Sequence, residues 1–343
     1  MTNRLPYQAP QKTVTLRDVA EAAGVDVSTV SRVLQDKGRA SAETRARITG
    51  AAEALGYKGN PAARALKTAR SQTILMVVPQ IENPIFASAI IGAEIEARKA
   101  GYALVVAYDK GGGVSSIIRD VSSSNMIEGV IIASFDEDEE LRQTLMSTDR
   151  PHVIMNRVLP GDSHCIAIDT RAAALIGVRH LIELGHTRIG HLAGRLGRFN
   201  GEMRREGWAQ ALTETGLPVD EALIVEAGYD PARVSGAVDK LLEQNVTAIH
   251  AATLLTGAAA IARLHALGYQ VPKDISLVTM HDDLLARVVF PAVTTVALPT
   301  ALMGEVAVKR LVGQVDGSEA ETGEVLLAPG ELIVRQSAGP PKS

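Results

Sequence analysis

Polar side chains between Thr15 and Gln35 lie on two short helical patterns that a glycine separates, an arrangement typical of contact with DNA. Thr15 and Asp18 have the spacing of a capping box that opens the first helix. Gly24 supplies a tight turn, and Asp26 is placed to cap the second helix. The sequence therefore predicts a helix-turn-helix, and an ordinary helical hairpin is the alternative.

The second helix of this pattern presents side chains that can read DNA bases. Val30 and Val33 fall on its inward face, because they share helical spacing. The residues left for the outer face are Val27, Ser28, Thr29, Ser31 and Arg32. An arginine can donate two hydrogen bonds to guanine, and a valine can pack on a thymine methyl group. We therefore expect Arg32, Val27 and Ser28 to set sequence preference, with a solvated surface charge as the alternative for Arg32.

Charge is distributed unevenly along the 343 residues of the chain. Residues 1–70 contain 12 lysines and arginines against 6 acidic residues, a net charge of +6. Because the whole chain carries −4, residues 71–343 carry −10 (−4 − 6). A basic head on an acidic body indicates that binding to a polyanion is confined to the head.

The residues after the helix-turn-helix extend the pattern over about fifty positions. Ser41 opens a third helix, AETRARITGAAEAL, which ends at Gly56, and Tyr57, Asn60 and the segment PAARALKT follow. With DVAEAAGV, TVSRVL, LGY and N-P-x-A-R-x-L in this order, the chain resembles the LacI/GalR family of bacterial transcription regulators. The resemblance implies a head at residues 1–58 and a hinge segment at 59–71.

The resemblance also implies a set of DNA contacts in the head and hinge. This set is Thr15, Val27, Ser28, Thr29, Ser31, Arg32, Gln35, Tyr57, Asn60, Ala63 and Leu66. Within it, Thr29, Ser31 and Gln35 match positions that steady the recognition helix on phosphates. For Tyr57, packing at the end of the third helix is an alternative. Asp26 departs from the serine common in the family, and we expect it to serve as the helix cap.

We expect the hinge segment to become helical only when it is bound to DNA. The stretch from Pro61 to Thr68 is alanine-rich and opens with proline, yet it is too short to be a stable helix alone in water. The resemblance implies a hinge helix that pairs with its dimer mate in the minor groove, where Leu66 wedges into a base step and bends the duplex. Ordinary linker packing is the alternative for Leu66.

From Thr73 onward, short apolar runs alternate with amphipathic helical sequence, such as the helix expected from Ile85 to Lys99. The runs are TILMVVPQ, YALVVAY, GVIIAS, HVIMN, CIAID, RIGHLAG, LIVEAG, AIHAAT and ISLVTM. Regular alternation of this kind predicts parallel sheet covered on both faces. Ligands of such sheets bind beyond the carboxyl ends of the strands.

The family resemblance continues through the body, to about residue 338. It rests on NPIF, GVRHLIELGHTRIGHLAG, MRREGW, VPKDISLVTMHDD, PAVTTV and ELIVRQS. It implies an all-α head followed by an α/β body of two lobes, with the type I periplasmic-binding-protein fold and an effector between the lobes. We expect the body at 72–338, with lobes near 72–169 plus 298–330 and 170–297 plus the C-terminal strand, and a tail at 339–343.

Candidate effector contacts lie at the expected strand ends of the body. They are Asn83, Phe86, Asn156, Arg198, Asn200, Arg204, Thr253 and Asp282. Arg204 and Asp282 match the family's ligand-contacting arginine and aspartate, with an internal salt bridge as the alternative. Asn156 stands where the family usually has aspartate, and Phe86 is better explained as core or cleft wall.

Two departures bear on the class of effector. Thr253-Leu254 replaces a common Asn-Asp pair, while Arg198, Asn200 and Arg204 bring donors to another loop. Aromatic residues make up only 3% of the chain, so a platform for stacking a sugar is poorly supplied, and Tyr229 is a weakly matched candidate. Since an arginine binds carboxylates well, an organic or sugar acid becomes a rival to a plain sugar.

Enzyme and metal sites find little support in the sequence. His180, His186 and His191 lack the spacing of metal ligands, and structural roles are favoured for them. Residues 111–113 are glycines without the lysine of a phosphate loop, and there is no serine nucleophile motif. We therefore expect neither catalysis nor a cofactor. A solute-binding protein with the same body is the alternative class.

Location and assembly are also expectations from the sequence. Cys165 is the only cysteine, which favours a buried thiol in a reducing compartment. The first twelve residues have no signal-peptide core, and no apolar run is long enough to span a membrane, so we expect a cytoplasmic protein. Eight residues follow Arg335, too few for a tetramerising coiled coil, so the expected assembly is a homodimer on operator DNA.

Overall fold

The computed structural model describes residues 14–34, 40–57, 70–81, 83–108, 113–122, 126–133, 138–148, 150–318 and 323–342. The chain divides into two compact units, a head that ends at Ser71 and a body that begins at Gln72. Four predicted DNA contacts, Gln35, Asn60, Ala63 and Leu66, lie outside the described residues. Their roles in the recognition helix and the hinge stay predictions.

The described part of the head contains three helices, α1 (Leu16–Ala23), α2 (Val27–Val33) and α3 (Ala42–Ala54). The predicted capping box is confirmed, since the Thr15 N–H donates to the Asp18 carboxylate at 2.7 Å and the Thr15 hydroxyl accepts from the Asp18 N–H at 3.4 Å. Gly24 ends α1 with a φ of 62°, a left-handed conformation that glycine adopts without a steric penalty.

A small apolar core holds the three helices together. Its buried members are Val19, Ala20, Ala23, Val30, Val33, Ile48 and Ala52. Helices of eight and seven residues, the lengths of α1 and α2, are not stable alone in water. The head therefore depends on the packing of α1 against α2 and α3 rather than on helix propensity.

Two six-stranded sheets form the frame of the body. The first contains β1 (Thr73–Val78), β2 (Ala103–Tyr108), β3 (Gly129–Ile132), β4 (His152–Met155), β5 (Cys165–Ile168) and β11 (Val325–Leu327), in the order β11-β5-β4-β3-β1-β2. The second contains β6 (Ile189–Ala193), β7 (Ile224–Glu226), β8 (Ala248–Ala251), β9 (Ser276–Met280), β10 (Thr294–Val296) and β12 (Leu332–Ile333), in the order β12-β10-β9-β8-β6-β7. All described pairs are parallel except β10 with β12.

All nine apolar runs that the sequence analysis interpreted as strands are strands in the structure, β1 to β9. The chain passes between the two sheets three times, after β5, after β10 and between β11 and β12. Each sheet has its own buried core, and Cys165 lies buried and unoxidised in the core of the first. Burial raises the pKa of the Cys165 thiol to about 11, so this thiol stays protonated near neutral pH.

Helices cover both sheets. They are α4 (Pro84–Lys99), α5 (Val114–Ser122), α6 (Asp138–Met146), α7 (Thr170–Glu183), α8 (Phe199–Glu214), α9 (Pro231–Glu243), α10 (Leu254–Ala266), α11 (Leu284–Val288) and α12 (Thr300–Asp316). Between α4 and α12 the backbones touch, because a Cβ on Gly92 would lie 2.0 Å from the Ala301 carbonyl oxygen and one on Gly304 would lie 2.0 Å from that of Ala89. No helix in the described ranges is both long enough and apolar enough to cross a membrane.

Candidate DNA-binding surface and effector cleft

The three predicted base-reading side chains of α2 are all exposed. Val27 is 40% exposed, and Ser28 and Arg32 are also exposed. The Arg32 side chain lies along the helix, where Nη2 donates to the Ser28 hydroxyl at 2.9 Å and Nε donates to the Ser28 carbonyl oxygen at 3.3 Å. Arg32 and Ser28 therefore lie together on one side of the exposed surface, and Val27, five positions before Arg32, lies about 140° around the helix from Arg32.

Asp26 caps α2 through its carboxylate, as the sequence predicts. The carboxylate accepts from the Ser28 hydroxyl at 2.5 Å, from the Thr29 hydroxyl at 2.7 Å and from the Thr29 N–H at 2.9 Å. Hydrogen bonds from Ser28 and Thr29 hold the pKa of Asp26 well below its ordinary value. The cap therefore stays ionised and places a negative charge at the start of the recognition helix.

Two predicted DNA contacts of the head are less accessible than their roles suggest. Ser31 was expected on the outer face of α2, but it is 8% exposed and therefore buried. Successive helical positions differ by about 100°, which puts Ser31 about 100° from Val30 and about 160° from Val33, so its burial does not follow from the spacing of the inward valines. Tyr57 is half-buried against the head core, which is the helix-end packing that the sequence left open.

The body contains a cleft where strands of both sheets end. Its lining comes from residues that follow β1, β4, β7, β8, β9 and β10 and from the first turns of α8: Asn83, Ile85, Phe86, Asn156, Asn200, Arg204, Tyr229, Ala252, Thr253, Leu254, Met280, His281 and Leu298. Two adjoining spaces make up the cleft, about 280 and 220 Å³ including the open volume at the mouth. Six of the eight predicted effector contacts line it.

Neutral amides and hydroxyls form most of the polar lining, and Asn83 and Thr253 are held as helix caps. Asn83 caps α4, its Oδ1 accepting from the Ile85 N–H at 3.3 Å. Thr253 caps α10 in a capping box with Thr256. Asn156 has a φ of 66°, and its carbonyl oxygen accepts from Asn200 Nδ2 at 2.5 Å. This last bond joins the end of β4 to the start of α8 across the cleft.

Arg204 supplies a buried cation to the cleft. Its side chain is 3% exposed, and Nη1 donates to the Tyr229 hydroxyl at 3.1 Å. The guanidinium carbon lies 5.9 Å from the centroid of the Tyr229 ring, within the range of a cation–π contact. Within the described part of the chain, the buried Nε of Arg204 has no hydrogen-bond acceptor. The weakly matched Tyr229 is thus a cleft residue.

The other two predicted effector contacts do not line these two spaces. Arg198 precedes α8 as its N-terminal flanking residue. The Asp282 carboxylate is engaged by Arg335 Nη2 at 2.6 Å and by the Thr295 hydroxyl at 2.9 Å. This is the internal salt bridge that stood as the alternative for Asp282. Burial alone would raise the pKa of Asp282, but the hydrogen bonds from Arg335 and Thr295 outweigh burial and lower it.

Several lining residues were missed by sequence reasoning. Ile85, Met280, Leu298 and His281 all lie within two residues of a strand or a helix start. His281 directly follows β9 with a φ of 77°, and burial lowers its pKa. These residues could have been predicted from their positions near the carboxyl ends of strands. Their side-chain types alone indicate ordinary core residues.

Two histidines lie buried in the second sheet near Arg204. His191 on β6 and His250 on β8 are register partners with ring centroids 5.1 Å apart, and the Trp208 ring lies 6.3 Å from that of His191. Burial lowers the pKa of His191 to about 4 and that of His250 well below its ordinary value. Both imidazoles are therefore neutral at neutral pH.

Taken together, these features define a helix-turn-helix DNA-binding protein with a two-lobed ligand-binding body. Residues 15–60 match the family model for bacterial regulatory proteins of the lacI family, and residues 178–338 match that for a periplasmic binding protein-like domain. The transcriptional regulator DegA of Bacillus subtilis (strain 168) is 31% identical over 341 residues, covering 95% of this chain and 98% of DegA. GalR of Escherichia coli (strain K12) is 32% identical, covering 95% and 96%. The chain belongs to the LacI family of bacterial transcription regulators.

Solved structures agree with this assignment. The lac repressor dimer bound to operator and the anti-inducer ONPF has a TM-score of 0.83 at 26% identity, covering 96% of this chain and 100% of that one. The CelR–cellobiose complex has a TM-score of 0.73 at 30% identity, covering 94% and 99%. The likeness therefore extends over both the head and the body.

Proposed function

We propose that this protein is a repressor that binds a palindromic operator as a homodimer and senses a small metabolite in the body cleft. The observation that carries the proposal is that one chain combines the exposed surface of Val27, Ser28 and Arg32 with a polar cleft built around Arg204. The lac repressor structure, which is bound to operator, and the CelR structure, which holds cellobiose, support both halves. Because operator DNA is the proposed partner, we also propose that the protein acts in the cytoplasm.

Exposed apolar side chains support the proposed dimer. Leu284 and Val288, one turn apart on α11, are 69% and 66% exposed, and Phe290 just beyond them is 81% exposed. Ile91 and Ile95 are exposed one turn apart on α4. Large apolar side chains grouped on a surface mark interaction sites. Leu284, Val288 and Phe290 are the proposed dimer patch, since in a two-fold dimer the same patch of each partner forms the interface.

The cleft offers a physical route from ligand to DNA. Both lobes line it, and the bond from Asn200 to the Asn156 carbonyl already crosses it. A ligand that bonds to both lobes stabilises one arrangement of the lobes over another. The operator affinity then changes by the differential affinity of the ligand for the two arrangements. The proposed function is therefore a population shift, without any chemical step.

The test measures operator binding and ligand response in one full-length protein. A binding site selected from random DNA is labelled, and its anisotropy is titrated with protein at one salt concentration, with and without each metabolite of a panel. We expect a palindromic site, and at least one metabolite that changes its affinity tenfold or more. The same metabolite should not change the operator affinity of the Arg204→Gln variant. Equal affinity for selected and random duplexes would contradict the proposal and favour a solute-binding protein.

A further inference from the structure

Arg204 is a buried cation without a counter-charge among the described residues. Its Nη1 donates to the phenol oxygen of Tyr229, while its buried Nε–H finds no acceptor in the described part of the chain. A charged group taken out of water requires an opposite charge or a full set of hydrogen bonds. The guanidinium therefore has unused binding capacity inside the cleft.

The remaining polar lining offers no negative charge that compensates Arg204. Asn83, Asn156 and Asn200 contribute amides, and Thr253 contributes a hydroxyl. Among the lining residues that the structure describes, none is an aspartate or a glutamate. The cleft therefore combines one fixed positive charge with several neutral hydrogen-bonding groups.

Asp282 is the one acidic residue among the predicted effector contacts, and its carboxylate is bound to other side chains. Arg335 forms an ion pair with it at 2.6 Å, Thr295 donates to it at 2.9 Å, and Arg287 approaches at 3.5 Å. A carboxylate with three such donors has little free capacity for ligand hydroxyls. Its charge is balanced by Arg335, so it does not offset the charge of Arg204.

We propose that the effector is a small polyhydroxylated carboxylate, a sugar acid, whose carboxylate binds Arg204 and whose hydroxyls bind the amides and Thr253. This inference rests on the proposed function and adds the chemical class of the effector. A guanidinium holds a carboxylate through two parallel hydrogen bonds. One cation balances the single charge of a carboxylate, whereas a phosphate monoester carries a charge of about −1.5 to −2.

The experiment compares neutral and acidic versions of the same carbon skeleton. Glucose is paired with gluconate and glucuronate, galactose with galactonate and galacturonate, and glucose-6-phosphate is added as the phosphate arm. Binding is measured by calorimetry and by the fluorescence of Trp208, the single tryptophan, which lies one turn after Arg204 on α8. Arg204→Gln removes the charge with little change of size. Arg205→Gln on the same helix is the matched control, because Arg205 is paired with Glu221 at 2.7 Å outside the cleft.

We expect at least one acid to bind 100-fold more tightly than its neutral partner, with the difference lost in Arg204→Gln and kept in Arg205→Gln. The inference is overturned if a neutral sugar binds as tightly as its acid, if the phosphate binds more tightly than every acid, or if no acid binds. Operator anisotropy with each compound separates the two proposals. If a neutral sugar that binds as tightly as its acid changes operator affinity, the proposed function is supported and the proposal of a sugar acid as effector is overturned.

Discussion

The head and the body hold their polar side chains by different physical means. In the head, the Asp26 cap and the Arg32–Ser28 bonds join residues no more than four positions apart. In the body, Asn200 reaches the Asn156 carbonyl across 44 positions and Arg204 reaches Tyr229 across 25. The hydrogen bonds of the head join residues that are close in sequence, whereas the cleft of the body forms only after both sheets have folded.

The head and the body also differ in how far their functional arginines are exposed to solvent. The head presents Arg32 to water, while the body buries Arg204. Exposed charges are screened by salt, and binding to DNA also releases counterions, so operator affinity falls steeply with salt. A ligand carboxylate paired with Arg204 in the cleft, as proposed, is screened much less. On these proposals operator binding is sensitive to salt and ligand binding is more tolerant of it.

The largest expected effect comes from breaking the body while leaving the head untouched. Phe290→Asp places a carboxylate in the proposed dimer patch, and burying it unpaired in an interface is costly. Two linked heads gain an effective concentration that one head lacks. We expect the sedimentation mass to halve and operator affinity to fall at least 100-fold.

Val219→Asp is the control for this change, since Val219 is an exposed apolar residue in the loop after α8. Its mass and operator affinity should match those of the wild type. A wild-type protein that sediments as a monomer at micromolar concentration while binding a palindromic operator tightly would contradict the proposed dimer.

The second prediction changes the head and leaves the body untouched. Arg32→Ala should weaken binding to the selected operator by about 1–3 kcal/mol, the discrimination expected of a bidentate guanine contact. Binding to random DNA should weaken much less. Arg47→Ala, which removes an exposed arginine on α3, provides a comparison for loss of charge alone. Equal losses on both duplexes, at one salt concentration, would make Arg32 a phosphate contact.

Much of the fold was predictable because buried strands are continuous apolar runs and caps are short local patterns. All nine such runs from β1 to β9 are strands, whereas β10 and β11 were not predicted from the apolar pattern, although β7 is equally short and was predicted. Ser31 shows the limit of helical spacing, since it is buried although its position on α2 is far from the face of Val30 and Val33.

The cleft was predictable as a place more than as a set of contacts. Strand ends brought Asn83, Asn156 and Thr253 together, as parallel sheets require. The role of Asp282 depended on Arg335, 53 positions later (335 − 282), and no local pattern reveals that pairing. Tyr229 was a weak match for the same reason, because its partner Arg204 is known only from the fold.

The third prediction uses the buried histidines to test the body alone. His191 in the unfolded chain binds a proton below its ordinary pKa of 6.5, while in the folded body its pKa is about 4. Between these values the unfolded state binds more protons, so stability is full above pH 6.5 and is lost as the pH falls towards 4. Between pH 7 and pH 5 His191 should contribute a loss of about 2 kcal/mol.

Urea unfolding at both pH values measures this loss. The difference between the two pH values should shrink by about that amount in His191→Phe, whatever the variant does to stability at pH 7. His265→Phe changes an exposed histidine near the end of α10 and should leave the difference as in the wild type. An unchanged difference in His191→Phe would show that the imidazole is solvated.

The smallest expected effect isolates the cap of the recognition helix. Asp26→Ser keeps a side chain that caps helices as well as aspartate, so the unfolding free energy of the head should change little. It removes the negative charge that the hydrogen bonds from Ser28 and Thr29 keep on the cap near the proposed phosphate contacts. At low salt, operator affinity should rise by up to about fivefold, because a negative charge beside the proposed phosphate contacts is removed. The gain should vanish at high salt, where the Debye length shrinks. Asp26→Ala separates the effect of the charge from that of the cap, because it should show the same gain in operator affinity together with a measurable loss of head stability. If Asp26→Ser instead weakened operator binding at every salt concentration, the carboxylate itself would be a contact in the complex, and the head would read DNA with an acid as well as with Arg32.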